Sequence, residues 1–197
     1  MKILAFSDLH LKETAPDAIL SAAGAADLVI GAGDFAQSHE GLAAYMTRLE
    51  SIADRAIYVP GNHESLEALR AATSATVLHG ETVHRGGLAI GGIGGGIPPI
   101  PHKPWGSWDL TETEAHAAAE GIAASVDLLV LHSPPIGLGD HHSELGRMGS
   151  TALKQVIQDR APRLCVFGHV HDCWGTSGQL GPTRWHNLGP DSVWFTL

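Results

Sequence analysis

Cysteine is nearly missing from this chain of 197 residues. The two present, Cys165 and Cys173, make neither a disulfide framework nor a Cys-x-x-Cys zinc spacing, so they read as reduced thiols, with Cys165 packed in a strand. Basic residues are scarce: 12 Lys and Arg stand against 21 Asp and Glu, a formal net charge of −9. That balance argues against a broad basic face for holding nucleic acid, which needs clustered Lys and Arg, so no stable nucleic-acid binding is expected. Long apolar runs are lacking too. Residues 28–30 and 128–131 fall far short of the ~20 that a bilayer demands, and no basic region precedes an apolar signal segment. The first apolar run, 3–6, leads straight into Asp8 and His10, where cleavage would remove chemistry. A soluble, cytoplasmic protein is expected, without internal repeats or a disordered tail.

What remains is ample for one domain spanning residues 1–197, because 44% apolar residues suffice for a sizeable core. Histidine is the unusual excess: 13 residues, more than all Lys and Arg together. Apolar, β-branched runs bounded by Gly, Pro or Asp predict strands near 2–7, 27–31, 55–59, 126–131 and 163–167, each buried on both faces. Ala-rich amphipathic stretches between them predict helices over about 16–25, 39–53, 64–72, 111–123 and 149–160, with Thr111 and Glu114 spaced as a capping box. This alternation implies an α/β fold with a largely parallel sheet. Residues 75–93 and 182–196 break the rhythm as short strands and turns that could form a second sheet. Residues 91–110, rich in Gly and Pro with Trp105 and Trp108, predict a lid or rim.

In open α/β sheets, ligands gather beyond the carboxyl ends of the strands. Each predicted strand is followed by a side chain able to bind metal: Asp8-Leu9-His10, Gly33-Asp34, Gly61-Asn62-His63-Glu64, His132, and Gly168-His169-Val170-His171. Carboxylates, imidazoles and one amide oxygen suit borderline or hard divalent ions, and the lack of Cys disfavours a thiophilic site. Gly33, Gly61 and Gly168 permit the turns and close approach that aim these groups inward. Singly, each element has an ordinary reading: a helix-capping Asp beside a surface His, a turn, a buried histidine bonded to backbone. Five in order, each after a strand, make coincidence improbable.

The ordered set resembles the calcineurin-like metallophosphoesterase superfamily, whose pattern is Asp-x-His, Gly-Asp, Gly-Asn-His-Asp/Glu, His and Gly-His-x-His. The resemblance runs from Asp8 to His171 and extends to the turn Asn187-Leu188-Gly189-Pro190. Short length and His132-Ser133-Pro134-Pro135 are most similar to the small Icc-related phosphoesterases. The resemblance implies a four-layer αββα sandwich, two mixed β-sheets flanked by helices. It further implies two divalent ions, manganese first with iron, zinc or nickel as alternatives. Asp8, His10, Asp34 and His171 would hold one ion. Asp34, Asn62, His132 and His169 would hold the other, with Asp34 bridging. His63 would contact the phosphate and act as general acid, not as a ligand. The expected activity is hydrolysis of a small phosphodiester or phosphomonoester, a nucleotide among the candidates, by attack of a metal-bridging hydroxide.

Departures from the pattern narrow the substrate. Ser/Thr protein phosphatases of the superfamily carry Gly-Asp-x-Val-Asp-Arg-Gly, whereas this chain reads Gly33-Asp34-Phe35-Ala36-Gln37-Ser38-His39, without the phosphate-clamping arginine. A carboxylate to orient His63 is not evident from the sequence. His141 and His142 are candidate substrate contacts, and Trp105 and Trp108 could form an aromatic rim for a base or ring. The default reading of each is an exposed loop with packed indoles. Two alternatives compete: a nuclease of the same chemistry, which the acidic balance disfavours, and a non-catalytic interaction module, which predicts eroded ligands.

Overall fold

The computed structural model describes residues 1–100 and 105–197. Four layers are built around two mixed sheets. In the first sheet, β1 (Lys2–Phe6), β2 (Leu28–Gly31), β3 (Ala56–Tyr58) and β4 (Thr76–Val77) run parallel in that order. The second contains β5 (Glu81–Arg85), β6 (Leu88–Ile93), β7 (Leu128–Leu131) and β10 (Leu164–Phe167). Between the last two in sequence lies a small hairpin, β8 (His141–His142) with β9 (Gly146–Arg147). Strands β11 (Ser177–Leu180) and β12 (Thr183–Asn187) complete the second sheet, whose order is β11-β12-β10-β7-β6-β5, while β13 (Val193–Thr196) pairs antiparallel with β1 in the first.

Alternate residues of the central strands enter different apolar clusters, and this produces the layers. Leu4 and Phe6 face outward against α1 (Ala15–Ala23), α2 (Leu42–Thr47) and α3 (Leu66–Ala72) through Ile19, Met46 and Leu69. Ile3 and Ala5 face inward with Ile30, Ile57, Ile90, Val130 and Val166, so the two sheets share a buried seam. Leu129, Leu131, Cys165 and Phe167 pack outward against α4 (Glu112–Glu120) and α5 (Thr151–Arg160) through Ala115, Leu153 and Val156. Burial on both faces explains the unbroken apolar runs of these strands.

The capping box is present: the Glu114 amide donates to Thr111 Oγ1 at 3.2 Å, and Glu114 Oε2 accepts from the Thr111 amide at 2.8 Å. Three sequence expectations need correction. The second sheet is not confined to the two irregular regions, since β7 and β10 belong to it with β6. Within 182–196 the two strands part company, one per sheet. The helix expected over 39–53 stops at Thr47 and gives way to a 3₁₀ turn, Glu50–Arg55. Part of the expected rim, residues 101–104, lies outside the described residues. No helix among the described residues is long and apolar enough to cross a membrane.

Candidate metal centre

All five motif segments meet where the carboxyl ends of β1, β2, β3, β7 and β10 converge. Asp8 and His10 follow β1, Asp34 follows β2, Asn62 and His63 follow β3, His132 follows β7, and His169 and His171 follow β10. The turns are tight. Asp8, His10, Asp34 and His169 adopt left-handed backbone angles, with φ between 42° and 71°. Each such non-glycine residue costs about 1–3 kcal/mol, and clusters of them mark sites where surrounding structure dictates the geometry. Gly61 answers a demand for space: a Cβ there would collide with the Asp34 carboxylate and amide.

Ligand-bearing atoms crowd together. His10 Nε2 lies 3.2 Å from His171 Nε2, and His132 Nε2 lies 3.2 Å from His169 Nδ1. Asn62 Oδ1 is 3.1 Å from His132 Nε2. Asp34 Oδ2 stands between the groups, 3.7 Å from His10 Nε2 and 3.4 Å from His132 Nε2. Donors arranged tetrahedrally or octahedrally about an ion at about 2.1 Å are separated by about 3.0–3.4 Å, so these spacings fit a shared cation. Among the described residues, three sets each hold possible ligand atoms within 4.8 Å of one another: Asp8, His10 and His171; Asp34, His132 and His169; and His10, Asp34 and His63.

The supports of these side chains lie elsewhere in sequence. Asp8 accepts from Ser7 Oγ at 2.8 Å, from Trp174 Nε1 at 3.0 Å and from the His169 amide at 3.1 Å. Trp174 also lies against His171, with ring centroids 4.3 Å apart. Asn62 Nδ2 donates to Ser107 Oγ at 2.9 Å, which leaves Oδ1 directed at His132. The His132 ring nitrogen Nδ1 is 2.8 Å from the Ala32 carbonyl and donates to it, presenting Nε2 to the site. Glu64, fully buried, accepts from the amides of Asp34, Ala36 and Gly61 at 2.8, 2.9 and 2.7 Å.

Electrostatics follow from burial against charge. Burial pushes the Asp8 carboxyl above its usual range, and the Asp34 charge adds to this against His132 and His171. Burial opposes ionisation of Asp34 as well, yet His132, His63 and His10 hold it far below the usual range. His132 is driven down by burial, but Asp34 and Asp8 overcome this and raise it to about 9. Glu64 is pushed up to about 7 by burial and by Asp34, against the Ala36 and Gly61 amides.

A cavity of about 330 Å³ opens over this cluster, lined by Asp34, Asn62, His63, His169 and His171 on one side and by Ile100, His142, Leu145, Met148 and Asp172 on the other. His142 thus reaches the cavity. His141 does not line it; its carbonyl accepts from the Cys173 thiol at 3.3 Å. Trp105 stacks on His63 with centroids 4.2 Å apart and planes at 27°. Trp108 packs on His79 instead, at 5.2 Å.

A family description now fits the geometry. The model of the calcineurin-like phosphoesterases matches residues 1–173. The chain belongs to this family. Metallophosphoesterase domain-containing protein 1 of Homo sapiens is 31% identical over 140 residues, covering 68% of this chain and 40% of that protein. The chain therefore spans less than half the length of that curated relative. Among solved structures, TT1561 of Thermus thermophilus superposes with a TM-score of 0.72 at 16% identity, covering 98% of this chain and 97% of that one. An archaeal phosphodiesterase gives 0.53 at 15% identity, over 96% of this chain and 84% of the other. Both likenesses bear on the fold.

The sequence left several of these residues without a role. Glu64 stood in the quoted motif, but directly before a helix start it reads as an ordinary first-turn acid. Trp174 carries no local signal, since its partner Asp8 lies 166 residues away.

Proposed function

We propose that this phosphoesterase hydrolyses a small phosphodiester with two divalent metal ions, manganese first and iron, zinc or nickel as alternatives. The supporting observation is the placement of Asp34, whose Oδ2 lies within 3.7 Å of His10 Nε2 and 3.4 Å of His132 Nε2, so that one carboxylate serves two ligand groups. Asp8, His10, Asp34 and His171 would hold one ion, and Asp34, Asn62, His132 and His169 the other. Two ions so held supply an activated water at neutral pH and positive charge to offset that building on the phosphoryl oxygens.

This chain's own residues do the rest. Trp174 and Ser7 fix the Asp8 carboxylate, and the Ala32 carbonyl fixes the His132 ring. His63 lines the cavity and supplies an N–H to the substrate. The cavity also suggests which ester is taken. Its lining includes no Lys or Arg among the described residues, and Asp172 adds a carboxylate. A diester carries one negative charge fewer than a phosphomonoester dianion beside Asp172, and it can rest its second ester arm on Leu145, Met148 and Ile100. The same lining disfavours a polyanionic nucleic-acid strand, and two free, buried cysteines suit a cytoplasmic protein.

Purified protein reconstituted with Mn²⁺ should hydrolyse bis-p-nitrophenyl phosphate faster than p-nitrophenyl phosphate, and single-stranded DNA hardly at all. Preference for the monoester would reverse the substrate reading. Bound metal without turnover on any of the three would point to a scaffold.

A further inference from the structure

Residues 107–110 grip Asn62 at two points. The Trp108 amide donates to the Asn62 carbonyl at 3.0 Å, and Asn62 Nδ2 donates to Ser107 Oγ at 2.9 Å. Ser107 in turn donates its hydroxyl to Asp109 Oδ1 at 2.6 Å. The segment is itself stitched down: the Gly96 amide donates to the Trp108 carbonyl at 3.1 Å, and the Leu110 amide to the Gly96 carbonyl at 2.8 Å. Gly96 leaves the room this requires, since a Cβ there would collide with Asp109 Oδ1. Ser107 and Asp109 belong to none of the five motifs, and neither lines the cavity over the metal centre.

A carboxamide has two ends of similar shape, and only the oxygen can ligate a cation. A serine hydroxyl carries a single proton. Once that proton is committed to the Asp109 carboxylate, Ser107 turns a lone pair toward Asn62 and can be met there only by the N–H end. Oδ1 is thereby left on the opposite side, 3.1 Å from His132 Nε2. Reversing the amide would set oxygen against oxygen unless Ser107 gave up its bond to Asp109.

Resting on the two-ion reading in which Asn62 is a ligand, we infer that Asp109 and Ser107 form a relay that fixes the sense of the Asn62 carboxamide and so governs the affinity of the ion shared with Asp34, His132 and His169. Both are positioning residues. Neither touches the ion; each acts through Asn62, as the outer partners of metal ligands do. The relay depends on an acceptor at position 109 rather than on its charge, so an amide can replace the carboxylate there. A symmetrical carboxylate at position 62 would have no wrong end and would need no relay.

The test is calorimetric titration of the metal-free full chain with Mn²⁺, checked by elemental analysis after dialysis, with melting temperature recorded for every variant. Wild-type protein should bind two ions. Ser107→Ala should weaken one of them by about 10–100-fold and the other by less than about threefold. Asp109→Ala should weaken the same ion about tenfold, and Asp109→Asn less than about threefold. In an Asn62→Asp background, adding Ser107→Ala should cost that ion less than about threefold, because the paired residues act as a unit. Ser107→Ala that leaves both ions unchanged, weakens both alike, or costs as much in the Asn62→Asp background would overturn the relay. Asp109→Asn as weak as Asp109→Ala would show the carboxylate acting by its charge and overturn it too. The Asp109 pair decides alone if Ser107→Ala does not fold. Wild-type protein that takes up fewer than two ions would instead refute the two-ion reading itself.

Discussion

At the scale of single residues, Asp34 is the group on which the site turns. Its side chain is 2% exposed and sits among three imidazoles that hold it ionised against the cost of burial. Asp34→Ala removes the one oxygen within reach of both ligand groups, so both ions should be lost. Elemental analysis after Mn²⁺ loading should find less than a tenth of the wild-type metal, and turnover should vanish. His63→Ala should keep its metal; loss of an ion would make His63 a ligand. His132 gives a pH dependence. Its charged form is favoured up to about pH 9 in the metal-free chain, against an ordinary value of 6.5. This raised value stabilises the metal-free fold below about pH 6.5, and the contribution is lost as pH climbs through 9. Metal needs the neutral ring, so affinity runs the other way and weakens about tenfold per unit as pH falls below 9. Calorimetry at pH 7.5 in buffers of different ionisation enthalpy should detect about one proton released per chain. Release of none would contradict the charged state of His132.

Among the elements, legibility followed the reach of the signal. The five strands that carry the motif residues were readable because both faces are buried, and the convergence of those residues because each lies within a few positions of its strand's end. The helix expected over 39–53 misled for a physical reason. Leu42, Tyr45, Met46, Leu49, Ile52 and Ala53 are all buried, which keeps a helical rhythm, but the chain tightens to i→i+3 bonds such as Ile52 N–H to Leu49 O at 3.1 Å in order to enter β3. Contacts between distant loops left no local trace: Trp174 on Asp8, Ser38 on His63, Glu64 on the Asp34 and Ala36 amides. Glu64 ties the loops after β2 and β3 together. Glu64→Ala strands three buried N–H groups, each worth about 1–3 kcal/mol when unpaired, so at least about 3 kcal/mol of stability should be lost in urea unfolding. A loss under about 1 kcal/mol would show that water replaces the strut. The β8–β9 hairpin and the turn after β10 form the far wall of the cavity, where Asp172 accepts from the Ser143 amide at 2.7 Å. Asp172→Asn should raise kcat/KM for p-nitrophenyl phosphate relative to bis-p-nitrophenyl phosphate by roughly fivefold, through relieved repulsion. An unchanged ratio would leave the diester preference without this cause.

For the molecule as a whole, the two sheets meet along one apolar seam, and the proposed ligands come from both. Asp8, His10, Asp34 and Asn62 follow strands of the first sheet, and His132, His169 and His171 follow strands of the second. Ions bound between them would cross-link the sandwich at one end and stabilise it by mass action. The claim that these seven side chains share a pair of cations is tested most directly by anomalous diffraction at the manganese edge from crystals grown with Mn²⁺. Two peaks are expected, one on each side of the Asp34 carboxylate. A single peak, or density anywhere else, would rule out the shared pair.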